Sequence, residues 1–282
     1  MPAKASLPMC CTPAAFQAMS RLVPVIESPD SLLQGAVAIA MHQMDEASIT
    51  ETDQALQAHA DAVRQRVRGH QRQALLAHLH EYMFDEHGFK GNSDDYYNTL
   101  NSYVPAALAT KTGLPITLSL LYVDVARRVG LKAWGVALPG HFLAAVECEP
   151  GTPPLLVDPF AGGQVVTGEE AHTRLMEMFG PDIEWSDELL KPCSNRHWLT
   201  RMLQNLLNVF TQSGHFADVA AMLEMEMLLW PGQSQLQRDL ALVLARCGLS
   251  QPASIWLDRY LQTNPDDPQR TQLKQLLDVL LT

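Results

Sequence analysis

The segment from residue 112 to residue 130 constrains this chain most. Thr112-Gly113-Leu114-Pro115 leads into a run from Ile116 to Val129 in which Leu118, Leu120, Leu121, Tyr122, Val123, Val125 and Ala126 leave almost no polar face, and Gly130 ends it. Pro115 suits a first helical turn, where its missing N–H costs nothing; Gly130 suits a left-handed C-cap; Arg127 and Arg128 suit the negative end of the helix dipole. A helix apolar around most of its circumference has to be buried. Residues 133 to 138 and 142 to 147 then read as strands joined by Pro139-Gly140, with a short third strand at 155 to 158. Buried helix, strand, turn, strand, strand predicts an α+β core: a small antiparallel sheet packed on the central helix.

The flanks read as helical. Leu32, Leu33, Ala36, Val37, Ala40, Met41 and Met44 recur at helical spacing, Leu56, Ala60, Val63 and Val67 form a second stripe ending at Gly69, and a third helix runs from 71 to 87. Arg64, Arg66, Arg68 and Arg72 cluster at a helix end, where cations complement the dipole. Residues 88 to 112, rich in Gly, Asn, Asp and Tyr, read as a long ordered loop of the kind that shapes a site. In the tail, Gly214 and Gly248, Pro231 and Pro265, Leu206 and Leu240, and Leu223 and Leu257 each lie 34 residues apart. That is the tetratricopeptide (TPR) period, in which two antiparallel helices make one unit. The expected domains are an N-terminal extension, 1–28, whose order the pattern leaves open and for which flexibility is one expectation; a helical region plus core, 29–194; and an all-α tail of TPR-like hairpins, 195–282.

Composition narrows the function. With 20 Lys and Arg against 31 Asp and Glu the chain carries −11, which opposes attraction to phosphate backbones or anionic lipid. Residues 195–282 hold 7 basic and 8 acidic side chains, so −10 of that charge sits on residues 1–194. Cys10, Cys11, Cys148, Cys193 and Cys247 are odd in number and mostly far apart in sequence, a pattern that suits a reducing compartment. No apolar run reaches the length of a signal-peptide core near the start or of a membrane span anywhere. The expectation is a cytoplasmic protein with neither nucleic acid nor membrane as partner.

The order of elements also suggests chemistry. A thiol enzyme of the papain or transglutaminase type places its cysteine at a helix N-terminus, a His on an adjacent strand as base, and a carboxylate or amide that orients the His. His141 and Asp158 stand in the second and third positions. Several strings strengthen the likeness: residues 82 to 92 (Tyr82-Met83-Phe84-Asp85-Glu86-His87-Gly88-Phe89-Lys90-Gly91-Asn92), Asn101-Ser102-Tyr103, Thr112-Gly113-Leu114-Pro115, Gly135-Val136, Pro139-Gly140-His141-Phe142, Asp158-Pro159-Phe160 and Gly162-Gly163. In this order they closely resemble the bacterial SirB-type family, in which a transglutaminase-like core precedes tetratricopeptide repeats. The resemblance covers residues 30 to 280 and implies an architecture; it assigns no activity.

One departure decides the functional expectation. Counting back about four turns from Arg127 and Gly130, where active members of the superfamily carry the nucleophile, lands on Pro115, and no cysteine occurs between Cys11 and Cys148. Proline supplies neither a nucleophile nor an N–H for an oxyanion. The reading is therefore a non-catalytic scaffold in which His141 and Asp158 persist as a relic dyad. Asn92, Tyr97, Asn101, Pro139, Gly140 and Phe160 line a binding cleft, and the TPR-like groove takes a protein or peptide partner in a regulatory role. No cofactor and no metal are expected, because His78, His80 and His87 do not share a helix face with Asp85 and Glu86. The alternative is a hydrolase or acyltransferase using Thr117 or Ser119 as an atypical nucleophile with the His–Asp pair. Oligomeric state stays open.

Overall fold

The computed structural model describes residues 8–69, 71–149, 151–180, 182 and 186–282. The chain begins with helices α1 (Pro13–Leu22), α2 (Ser31–Ala40), α3 (Ile49–Arg64) and α4 (Arg72–His80). At Glu81–Glu86 the last of these widens into a π turn. Strand β1 (Lys90–Gly91), α5 (Val104–Thr110) and β2 (Thr112–Gly113) lead to the central helix α6 (Pro115–Arg128). Strands β3 (Lys132–Val136), β4 (Leu143–Glu147), β5 (Leu155–Asp158) and β6 (Gln164–Val166) follow, then α7 (Gly168–Phe179). The tail is α8 (Asn195–Ser213), α9 (Phe216–Leu229), α10 (Ser234–Arg246), α11 (Ser250–Thr263) and α12 (Arg270–Leu280).

The sheet is antiparallel throughout, in the order β3-β4-β5-β6, while β1 and β2 form a separate parallel pair. Strand alternation divides its side chains between two cores. Ala144, Val146 and Val157 join the main core around α6, whereas Leu143, Ala145, Leu156 and Val166 meet Ala171 and Leu175 of α7 on the other face. The sequence reading lacked β6 and α7. Their signal is the capping box at Thr167, whose hydroxyl accepts from Glu170 N while the Glu170 carboxylate accepts from Thr167 N.

Two contacts tie the ends of the chain to its centre. Residues 8–28 are not loose: α1 packs on α2 and α9, and the Glu224 carboxylate accepts the N–H groups of Met9, Cys10 and Cys11 at 2.6, 3.1 and 2.8 Å. Residues 1–7 lie outside the described residues. The tail is also continuous with what precedes it, since one apolar core runs from Cys11 to Ala253. Trp198 of α8 is its keystone. The indole is buried, lies 4.4 Å from the Phe142 ring and donates to the Ile116 carbonyl of α6 at 3.3 Å. It sits so close to Gly135 that a Cβ there would come within 2.0 Å of the ring, so β3 needs glycine at this point.

The tail repeats in backbone as well as in sequence. Gly214 and Gly248 both take positive φ (73° and 75°), and Trp230 and Asn264, which end α9 and α11, have φ/ψ of −129°/64° and −127°/70°. Pro231 and Pro265 then prevent either helix from continuing. These are helical hairpins at a 34-residue spacing, with α12 laid on the last of them.

A pH dependence follows from the α3–π-turn junction. His59 Nδ1 bonds the Tyr82 hydroxyl at 2.9 Å, and the ring packs edge-on against Phe89 and His87. Burial, together with the Lys111 charge and then His87, pushes His59 down to about 4 from the ordinary 6.5. A depressed imidazole contributes stability that is complete above the unfolded value and drains as pH falls through the folded one. Between pH 6.5 and 4 the fold is expected to lose about 1–2 kcal/mol on this account, the half-exposed ring giving less than the full shift. Urea midpoints across that range should flatten in His59→Gln; an unchanged slope would refute the assignment.

Candidate functional site

The site is built where β5 ends. Asp158, 2% exposed, closes the strand and opens a turn in which Gly163 N donates back to its carbonyl at 2.9 Å. Its carboxylate is saturated by four donors. Oδ1 accepts the N–H groups of Phe160 and Ala161 at 3.1 and 3.2 Å, and Oδ2 accepts His141 Nε2 at 2.9 Å and Arg174 Nη1 at 3.0 Å. Burial alone would raise this acid. The His141 hydrogen bond and charge, the Ala161 N–H and Arg174 outweigh it and hold the carboxyl below its usual range. Asp158 is thus ionised and acceptor-only, Nε2 carries the proton toward it, and Nδ1 of His141 has no hydrogen-bond partner among the described residues.

His141 precedes β4 and shares the strand register of Leu143. It therefore opens on the α7 side of the sheet, where it lines a cavity of about 430 Å3 with Leu138, Pro139, Leu143, Leu175 and Met178. Its backbone is fixed from the opposite direction. Arg201 of α8 reaches over the Phe142 ring and donates to the carbonyls of Leu138 and His141 at 2.9 and 3.2 Å, clamping the Pro139-Gly140 turn. Gly140 sits at φ 68°, and a Cβ there would lie 2.4 Å from Met178 Sδ.

The structure brings His141 and Asp158 together, and among the described residues no Ser, Thr or Cys side chain hydrogen-bonds the His141 ring. Pro115 is the first residue of α6. Thr117 is 0% exposed, and its hydroxyl has no partner, His141 included, among the described residues. Ser119 is equally buried and donates to the Phe142 carbonyl at 3.4 Å. The thiols are occupied elsewhere. Cys10 and Cys11 lie against Glu224, and burial followed by that charge pushes both up to about 12. Burial pushes Cys193 up to about 11, and Cys148 turns back on Val146 O.

The remaining expected cleft residues divide. Asn92 and Phe160 line a second, polar cleft of about 540 Å3 with Lys90, Asp94 and Thr112, while Pro139 belongs to the first cavity. Asn101 lines neither. It is buried, and its carboxamide holds the loop by donating to the carbonyls of Asp95 and Tyr96 at 2.7 and 3.1 Å and accepting from Asn92. Tyr97, 64% exposed, packs on Tyr96, which meets Phe160 edge-on, and Phe160 in turn meets the His141 ring. Arg174 and Arg201 were missed in the sequence. The capping box before α7 is the one signal that pointed to Arg174, and nothing local marks Arg201.

The frame of central helix and antiparallel sheet is of the transglutaminase-like kind that the resemblance implied, and comparison with known families decides membership. The family model described as "Transglutaminase-like superfamily" matches residues 50–204. The chain belongs to the transglutaminase-like superfamily. This transglutaminase-like segment ends inside α8 and so includes both Trp198 and Arg201. Among curated proteins, the UPF0162 protein of Xylella fastidiosa (strain 9a5c) is 34% identical over 67% of this chain and 68% of its own length. The UPF0162 protein of Xylella fastidiosa strain Temecula1 is 30% identical over 87% of this chain and 88% of its own. F-box only protein 21 of Homo sapiens is 30% identical over 57% of this chain, which corresponds to 26% of that longer protein. No solved structure matches significantly. Among the described residues no helix of this transglutaminase-like chain is long and apolar enough to cross a membrane.

Proposed function

We propose that the chain is a non-catalytic transglutaminase-like scaffold of the SirB type, in which the hairpins of the tail act as a TPR-like module that docks a protein or peptide partner in a regulatory role. One observation carries the reading: a proline ring occupies the helix terminus that should present the nucleophile, while the two hydroxyls behind it are sealed in the core. The His–Asp pair then serves as a brace, joining the 138–141 turn to the end of β5 and to α7. Stacks of helical hairpins commonly take extended or helical segments on a concave face, which supports this reading.

A specific observation favours one second reading. The Thr117 hydroxyl is buried without a partner, and a rearrangement that exposed it would give a hydrolase or acyltransferase with His141 as base. Fluorophosphonate and iodoacetamide probes on the full chain, mapped by mass spectrometry, separate the two. No labelling between residues 115 and 119 is expected. Stoichiometric labelling at Thr117 or Ser119 that disappears in a folded His141→Ala variant would overturn the scaffold reading. Affinity capture should also use the full chain, because α8 is shared with the core.

A further inference from the structure

The cavity beneath α7 lies on the sheet face that packs on α7, and His141 and Arg174 of the site described above are part of its lining. Its walls are Leu138, Pro139, Leu143, Val166, Ala171, Leu175 and Met178, and at about 430 Å3 it falls in the lower part of the range for small organic ligands. Ala171 and Leu175 are the buried residues of α7, and both line the cavity where the helix meets the sheet. At the mouth, Met178 and Phe179 are 56% and 53% exposed, which extends the apolar wall outward.

The polar groups lie together at one end. Arg174 uses one N–H on Asp158 and another, at 3.3 Å, on Gln164 Oε1, which leaves donors of its five unspent. Asp158, already holding four donors, has no further capacity for them. His141 lines the same space, as does Glu177, an exposed acidic side chain. An apolar chamber with an under-used guanidinium at one end is complementary to an apolar chain that ends in a carboxylate. We infer that this cavity binds a medium-chain carboxylic acid, with the hydrocarbon between the sheet and α7 and the carboxylate on Arg174.

The test is calorimetric titration of the full chain with decanoate, decan-1-ol and the peptide Ala-Ala-Leu. Decanoate should bind at least tenfold tighter than decanol, since the alcohol fills the same walls but cannot form the charge-assisted pair. Arg174→Gln should weaken decanoate at least tenfold and leave decanol within about twofold, and Leu175→Trp, which fills the chamber, should abolish both while circular dichroism stays unchanged. Should Arg174→Gln fold poorly, Ala171→Phe gives the same reading as Leu175→Trp. Equal affinity for decanoate and decanol, indifference to the chamber-filling variants, or no binding by the wild-type chain would overturn the inference; tighter binding of the peptide would transfer the site to polypeptide termini and overturn it equally. The binding stands apart from the scaffold reading: mass spectrometry of the recovered ligand should return intact decanoate, and conversion would refute the non-catalytic proposal while leaving the site in place.

Discussion

Trp198→Ala is expected to cost about 3–5 kcal/mol, as loss of a large aromatic from a packed interior typically does. The indole fills the space above Gly135, stacks on Phe142 and satisfies the Ile116 carbonyl, so its removal opens a cavity at the point where α6, β3 and α8 meet. Those neighbours belong to different elements and cannot collapse together, which places the cost toward the upper end. Urea unfolding followed by circular dichroism reads it directly. Trp256→Ala is the control: that ring is only partly buried, packing beneath Arg259, and its loss should cost less than half as much. Comparable losses at the two positions would show that Trp198 is not a keystone.

Asp158→Ala is the second large effect, again about 3–5 kcal/mol, because it strips the Arg174 and His141 side chains and two backbone N–H groups of their shared, buried acceptor. Asp158→Asn, which keeps one carbonyl oxygen for the turn, should cost clearly less. The pH profile separates charge from packing. The folded carboxyl lies below its ordinary 3.8, so its contribution is present above that value and drains as the pH falls through the depressed folded value. The stability gap between wild type and Asp158→Ala should therefore hold at neutral pH and narrow below pH 3.8. A gap that stayed constant to strong acid would mean that the carboxylate charge contributes nothing.

What the sequence revealed, and what it concealed, follows from the range of the interactions. The central helix was legible because Pro115, the apolar run and Gly130 act within one element, and the hairpin at Pro139-Gly140 because its turn chemistry is local. His141 and Asp158 could be brought together on paper because one precedes β4 and the other ends β5, strands whose order was readable, and the two lie 2.9 Å apart. Arg201 was invisible: it acts across 60 residues on the carbonyl of His141, and an arginine in an amphipathic helix carries no mark of that task. Asn101 was misplaced for a related reason. Its residue type suits both a cleft wall and a loop brace, and only the carbonyls of Asp95 and Tyr96 show which it is. The order of residues 9–11 stayed open because their partner, Glu224, lies more than 200 positions later.

The buried indole in α8 imposes a schedule on synthesis. A nascent chain folds from its N-terminus while translation proceeds at roughly 5–20 residues per second. Until residue 198 has cleared the ribosomal tunnel, Gly135 and Phe142 face an empty slot, and the corner where β3 meets α6 lacks its cover. Truncated chains ending before that residue should accordingly stay sensitive to protease, and resistance should arise abruptly once α8 emerges rather than when the last strand does.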